Sequence, residues 1–124
     1  MGVYTGIAQD NVRITSGTAD SLTVKKVVNT APVIKTAAFT LGNTENFVVC
    51  NGAGSIAVTF PTASANAGRV VVIKTIAAQT VVSASSNVKP VDSNTAGTAI
   101  LAGTAGKWAQ LVCDGTNWVV MAAG

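Results

Sequence analysis

Histidine is absent from the 124 residues, and with it go the commonest general base and the commonest metal ligand of proteins. A triad of Ser or Cys with His is therefore excluded. Charge is scarce as well. Asp, Glu, Lys and Arg make up 10 % of the chain, against roughly 25–35 % on the surface of a well-behaved soluble domain. So few charges cannot cover a monomer, and burial of surface in an assembly is expected. The two cysteines are too few for a disulfide scaffold and, without histidine, too few for a zinc site. Long hydrophobic runs are missing too. No stretch approaches the roughly 20 apolar residues of a spanning helix, so the mean hydropathy of +0.46 comes from many short Val and Ala runs, and no membrane partner is expected.

Other absences concern the start of the chain and its charge pattern. Met1-Gly2-Val3-Tyr4-Thr5 has no basic stretch leading into an apolar one, so no secretory signal is read and the product is expected to fold in the cytoplasm where it is made. Gly2 follows Met1, but myristoylation asks for Ser or Thr where Gly6 stands. The net charge of +3 is spread out, and only Lys25-Lys26 are adjacent basic residues. That is no phosphate-tracking stripe, and no nucleic-acid partner is expected.

What the chain does have is a period of two. Ile56, Val58 and Phe60 alternate with Ser55, Ala57 and Thr59 until Pro61 ends the strand for want of a ladder donor. Arg69 to Lys74 is a β-branched run with little alternation, which predicts a strand covered on both faces. Thr80-Val81-Val82-Ser83 is its expected partner. Trp108 to Cys113 and Asn117 to Met121 flank Asp114-Gly115-Thr116, the pattern of a hairpin. Further strands are expected at Phe47–Cys50, Ala99–Leu101 and Val33–Leu41, with a loop from Asn87 to Gly97. No segment has the caps and stripe of a long helix. The chain therefore predicts an all-β fold, a small antiparallel β-sandwich or a jelly-roll-like domain, with Cys50 and Cys113 as buried free thiols inside apolar strands; a single disulfide between them is the alternative.

The first 35 residues differ. Val3–Ile7, Val12–Thr15 and Leu22–Val28 are short strand-like pieces without Trp, Phe or Cys, and half of the basic residues lie here. Residues 1–35 read either as an assembly arm or hairpin layer packed on a neighbouring subunit, or as extra strands of the same sandwich; residues 36–124 read as the β-sandwich core.

Catalysis would have to come from Asp10, Asp20, Glu45, Asp92 and Asp114, which are isolated in sequence beside turn-prone residues. A glycosidase pair requires two that converge in space, yet Asp114 is explained by the hairpin turn and Asp92 by its polar loop. The glycines of Cys50-Asn51-Gly52-Ala53-Gly54-Ser55 lack the Gly-Lys-Ser/Thr ending of a phosphate loop and precede a strand; Asn51-Gly52 reads as a tight turn. No Asp-rich calcium loop is present. No catalytic, cofactor or metal residue is assigned, and the chain is not expected to be an enzyme. Trp108, Trp118, Phe39, Phe47, Phe60 and Tyr4 are the large anchors, expected mostly in the core; an exposed Trp near the hairpin is the alternative contact site.

Three segments carry a resemblance, which covers Phe39 to Met121, about two-thirds of the chain. They are Asn46 to Pro61 (NFVVCNGAGSIAVTFP), Gly68 to Lys74 (GRVVVIK) and Lys107 to Trp118 (KWAQLVCDGTNW). As an ordered set they resemble a β-module of tailed-bacteriophage structural proteins, including capsid decoration or head-fibre proteins and tail-fibre pieces. The resemblance implies a virion part, commonly a homotrimer, without catalytic residues to carry over. Tail fibres place such a module beside stalk repeats, and none is seen in this sequence. The expectation is a capsid decoration, or cement, protein on the head surface that binds the major capsid protein. A tail-fibre or head-fibre module contacting host-surface glycans or proteins is the alternative.

Overall fold

In a computed structural model of the chain, residues 23–124 are described together with Gly17, Asp20 and Ser21. The expected pieces Val3–Ile7 and Val12–Thr15, with Tyr4, Asp10 and Leu22, lie outside the described residues. Ten strands follow: β1 (Val33–Lys35), β2 (Phe39–Thr40), β3 (Phe47–Cys50), β4 (Ile56–Thr59), β5 (Val70–Thr75), β6 (Val81–Ser83), β7 (Val88–Lys89), β8 (Ala99–Leu101), β9 (Trp108–Cys113) and β10 (Trp118–Ala123). The helical content among the described residues is a single 3-10 turn at Ala63–Ala65. The all-β expectation is met.

The strands form two sheets. One has six strands in the order β1-β3-β5-β9-β10-β7, the other four in the order β2-β4-β6-β8. From β1 to β6 each strand passes the chain to the opposite sheet, and the next strand of the same sheet begins again at the same end. Neighbours made this way are parallel: β1 with β3, β3 with β5, β2 with β4, β4 with β6. The antiparallel expectation is thus corrected to mixed sheets, because antiparallel pairing between strands is limited to β5 with β9, β9 with β10 and β6 with β8, with one further bridge from Val88 to Gly97. A jelly roll, built of antiparallel strands, does not describe the parallel ladders. The coils differ in length, the first pairs, Val33 with Val48 and Phe39 with Val58, being closer in sequence than the later ones. Phe47 pairs with Val72 and Ile56 with Val81, one coil apart in each case, in the manner of a stacked-coil protein in which each turn rests on its neighbour.

Alternation then sorts the side chains. Ile56, Val58 and Phe60 are buried, as their spacing predicts, and face Val48, Ile73, Leu111 and Trp118 of the larger sheet in one core. Each such side chain contributes about 1.5–3 kcal/mol on burial. Phe60 and Trp118 stack at 4.9 Å between centroids and 25° between planes. The sheets are thereby joined at one aromatic pair. Of the other anchors, Phe39 and Phe47 are half-buried and Trp108 is 40 % exposed.

Other local expectations change. Val71, Ile73 and Thr75 of β5 are buried, whereas Val70 and Lys74 are exposed and Val72 is half-buried; within one chain β5 is covered on one face only. Its expected partner β6 sits in the opposite sheet, against β4. The run Val33–Leu41 breaks into β1 and β2 around Thr36 to Ala38, one strand for each sheet. The loop from Asn87 to Gly97 contains β7, held where Trp118 N–H donates to the Asn87 carbonyl. The Asp114 hairpin forms as expected, with Gly115 at φ +92°, a value that disfavours any residue with a Cβ.

Cys50 and Cys113 are buried and free. Cys50 lies beside Thr75 at one end of β5, while the Cys113 N–H donates to the Arg69 carbonyl at the other. Several residues of strand, at ~3.3 Å each, keep them beyond the roughly 7 Å Cα limit of a disulfide. Burial pushes the Cys50 thiol up to about 11, so it is protonated at neutral pH and a poor nucleophile. In Ellman titrations at mildly alkaline pH neither thiol should react until denaturant is added; prompt colour from the native protein would refute this burial.

Candidate functional site: an exposed arm and an open cleft

Residues 23–32 precede β1 without regular structure, and every one of them is exposed. Val24, Val27 and Val28 are 50 %, 70 % and 77 % exposed around the Lys25-Lys26 pair. The piece expected as a strand at Leu22–Val28 is therefore coil over its described part. No cross-strand partner fixes it. Thr30 Oγ1 donates to the Thr44 carbonyl, a tie to the body of the protein.

This segment leads into the edge of the two sheets where β1 pairs with β3 and β2 with β4. The outer edges of β1 and β2 have no partner among the described residues. Such edges accept further strands readily. Lys35 guards this end: its Nζ donates to Glu45 Oε1 at 2.8 Å and lies 5.0 Å from the centre of the Phe39 ring. The Lys35 hydrogen bond, followed by that from the Gly42 N–H at 2.9 Å, holds the Glu45 carboxyl below its ordinary range. A charge on an edge strand is a common device against uncontrolled pairing.

The second feature is a cleft of about 510 Å³ beside the hairpin turn, where Asp92, Ser93 and Asn94 face Asp114 and Met121. The fold thus brings together two of the five acids weighed as a catalytic pair. They are not equivalent. Asp114 Oδ1 accepts from the N–H groups of Asn117 (2.7 Å) and Thr116 (2.9 Å), and its Oδ2 accepts from Lys89 Nζ (3.2 Å). The two backbone bonds, ahead of Lys89, hold its carboxyl below the usual range. A general acid needs the opposite shift. Asp114 closes a turn, as its position after β9 implies, and three hydrogen bonds hold its carboxylate there.

No family model, curated protein or solved structure matches the chain. The geometry must carry the reading alone. Of the remaining acids, Asp20 is exposed before the arm, Glu45 sits at the β1 end and Asp10 lies outside the described residues. Among the described residues no group of three His, Cys, Asp or Glu side chains is gathered as for a metal. The sequence alone did not reveal Arg69, whose guanidinium binds Asn46, Asn66 and the carbonyls of Gly42 and Glu45. Only Arg69 opening a β-branched run hinted at it.

Proposed function

We propose that this protein is a bacteriophage capsid decoration protein, which binds the assembled head as an oligomer through contacts to the major capsid protein and stabilises the shell. The observation that carries the reading is the arm: three valines stand in solvent beside two lysines, on a segment without strand partners among the described residues. Burying them on a neighbouring subunit would gain about 1.5–3 kcal/mol each. The adjacent β1 edge adds a surface for strand addition. Many such contacts, weak singly, act together on a lattice because tethering raises effective concentration. The resemblance of the Asn46–Pro61, Gly68–Lys74 and Lys107–Trp118 segments to phage virion modules agrees with this assignment, as does the low charge of the chain. The homotrimer and the capsid-surface location are parts of the same proposal.

The full chain carrying Val24→Asp, Val27→Asp and Val28→Asp together is expected to lose binding to purified undecorated shells by about tenfold or more in cosedimentation, since each buried carboxylate is strongly penalised. Its far-ultraviolet circular dichroism should be unchanged. Binding equal to that of the unmodified chain would remove the arm from the proposal. The cleft beside Asp92 favours a second reading, a receptor-contacting fibre module, which predicts few copies per particle by electron microscopy rather than a number set by capsid lattice positions.

A further inference from the structure

Lys25-Lys26 stands in a stretch that no backbone hydrogen bond holds: among the described residues none is formed by residues 23–32, all of which are exposed. The first tie to the body is the Thr30 hydroxyl at the Thr44 carbonyl. Val24 to Asn29 can therefore be drawn out straight without breaking a described bond. Segments of this kind open at almost no free-energy cost, and proteolytic nicking concentrates on them. A protease that cuts after a basic residue asks three things of its substrate. The backbone must be free to extend, the cation must reach the carboxylate of the specificity pocket, and no proline may follow directly, since its ring fixes the backbone and removes a donor. Lys25 and Lys26, followed by Lys26 and Val27, meet all three.

The other basic residues among those described each fail at least one requirement. Lys35 is paired within β1 and holds Glu45. The Arg69 guanidinium is engaged by Asn46, Asn66 and two carbonyls. Lys74 lies in β5 between β3 and β9. Lys89 is paired within β7, bound to Asp114 and followed by Pro90. The Lys107 N–H donates to the Thr104 carbonyl, and its own carbonyl accepts from the Thr75 N–H. Reaching any of these means opening the sandwich, and a stable domain is open in about one molecule in a thousand or fewer.

We infer that Lys25-Lys26 is a cleavage site for proteases of trypsin-like specificity, open in the free chain and closed once the arm is seated on a shell. Hydrolysis breaks the peptide C–N bond after Lys25 or Lys26. Water supplies a hydroxyl to the lysine carbonyl carbon and a proton to the released amine, so the step needs neither oxidant nor reductant. All ten strands lie after the cut, and the sandwich keeps every one of them. Val24 is parted from Val27 and Val28, which divides the apolar contact of the arm. The closing of the site rests on the decoration proposal, whereas its exposure in the free chain does not.

A sparing amount of trypsin should convert the full chain to a resistant body that begins at Lys26 or Val27, identified by intact mass. That cut should run about a thousandfold or more faster than cutting after Lys35, Arg69, Lys74 or Lys107. Lys25→Gln with Lys26→Gln removes the cation that the pocket binds and should slow the cut about a hundredfold or more, with the midpoint of thermal unfolding unchanged. The inference is overturned by a resistant body that still carries residues 23–28, by comparable cutting after Lys35 or Lys107, or by cutting of the double variant at the unmodified rate. The same digestion is run on chain bound to purified undecorated shells. Protection of the lysine pair in the bound fraction upholds the closing of the site, and bound chain cut as fast as free chain overturns it. A chain that is cut when free but never sediments with shells upholds the cleavage site and overturns its closing together with the decoration reading.

Discussion

Trp118→Ala is expected to lower the midpoint of thermal unfolding by roughly 10–20 °C, because truncating a buried aromatic costs about 3–5 kcal/mol and each kcal/mol moves a domain of this size by about 3–5 °C. Trp118 is fully buried. Its ring stacks on Phe60, which follows β4 of the smaller sheet, while Trp118 opens β10 of the larger. The pair therefore spans the core, and its loss removes packing that no neighbour in a rigid β-core can rebuild. Its indole N–H is buried without a hydrogen-bond partner among the described residues. That sets up a discriminating second variant. Trp118→Phe keeps an aromatic face on Phe60 and deletes the unsatisfied donor, so part of the lost packing is offset by relief of a desolvation cost of about 1–3 kcal/mol. Differential scanning calorimetry should place Trp118→Phe well above Trp118→Ala. Equal midpoints for the two variants would show that the stack with Phe60 contributes little.

The elements legible in the sequence were those whose signal is local. Ile56, Val58 and Phe60 identify their face by alternation, and Asp114-Gly115-Thr116 specifies a hairpin because the Asp side chain and the Gly backbone are what that turn needs. Strand direction carries no such signal. A three-residue strand such as β6 reads the same whether its neighbour runs with it or against it. What sets the direction is that the chain after Cys50, turning at Gly52, crosses to the smaller sheet instead of folding back on the larger. Gly52 lies so close to the Thr36 carbonyl that a Cβ there would sit 2.5 Å from its oxygen, and its N–H donates to Gln79 Oε1 at 2.6 Å. Both contacts join successive coils, and neither is visible from Asn51-Gly52 alone.

The β5 segment teaches something different. Its unbroken β-branched run suggested cover on both faces, and within one chain only Val71, Ile73 and Thr75 have it. The residues that spoiled the alternation, Val70 and Val72, are the ones that make the outward sheet face apolar. The departure from period two is thus a property of the surface. The cleft was legible only as two separate polar turns. Asp92 and Asp114 line one cleft because β7 pairs with β10 in parallel, a pairing across thirty residues of chain that no spacing rule supplies.

Arg69→Ala is expected to cost about 2–4 kcal/mol of stability, given that hydrogen bonds to a charged group contribute about 1.5–3 kcal/mol and this group is half-buried, so solvent screens part of the effect. The guanidinium is a junction. Nε donates to Asn46 Oδ1 at 3.1 Å, Nη1 to Asn66 Oδ1 at 3.2 Å, and Nη2 to the carbonyls of Gly42 at 2.6 Å and Glu45 at 2.9 Å. One side chain thereby ties the loop between β2 and β3 and the turn after Pro61 to the start of β5. Removing it leaves two carbonyls and two amide oxygens without that donor, and the loop also presents Glu45 to Lys35. Hydrogen exchange should consequently quicken at Glu45, whose N–H donates to the Gly42 carbonyl, and at Asn66, while the Asp114 hairpin stays protected. Arg69→Lys should recover less than half of the loss, since an ammonium cannot reproduce the planar fork that reaches several acceptors at once. If lysine restores full stability, the site needs only a positive charge there, and the geometric account of this junction fails.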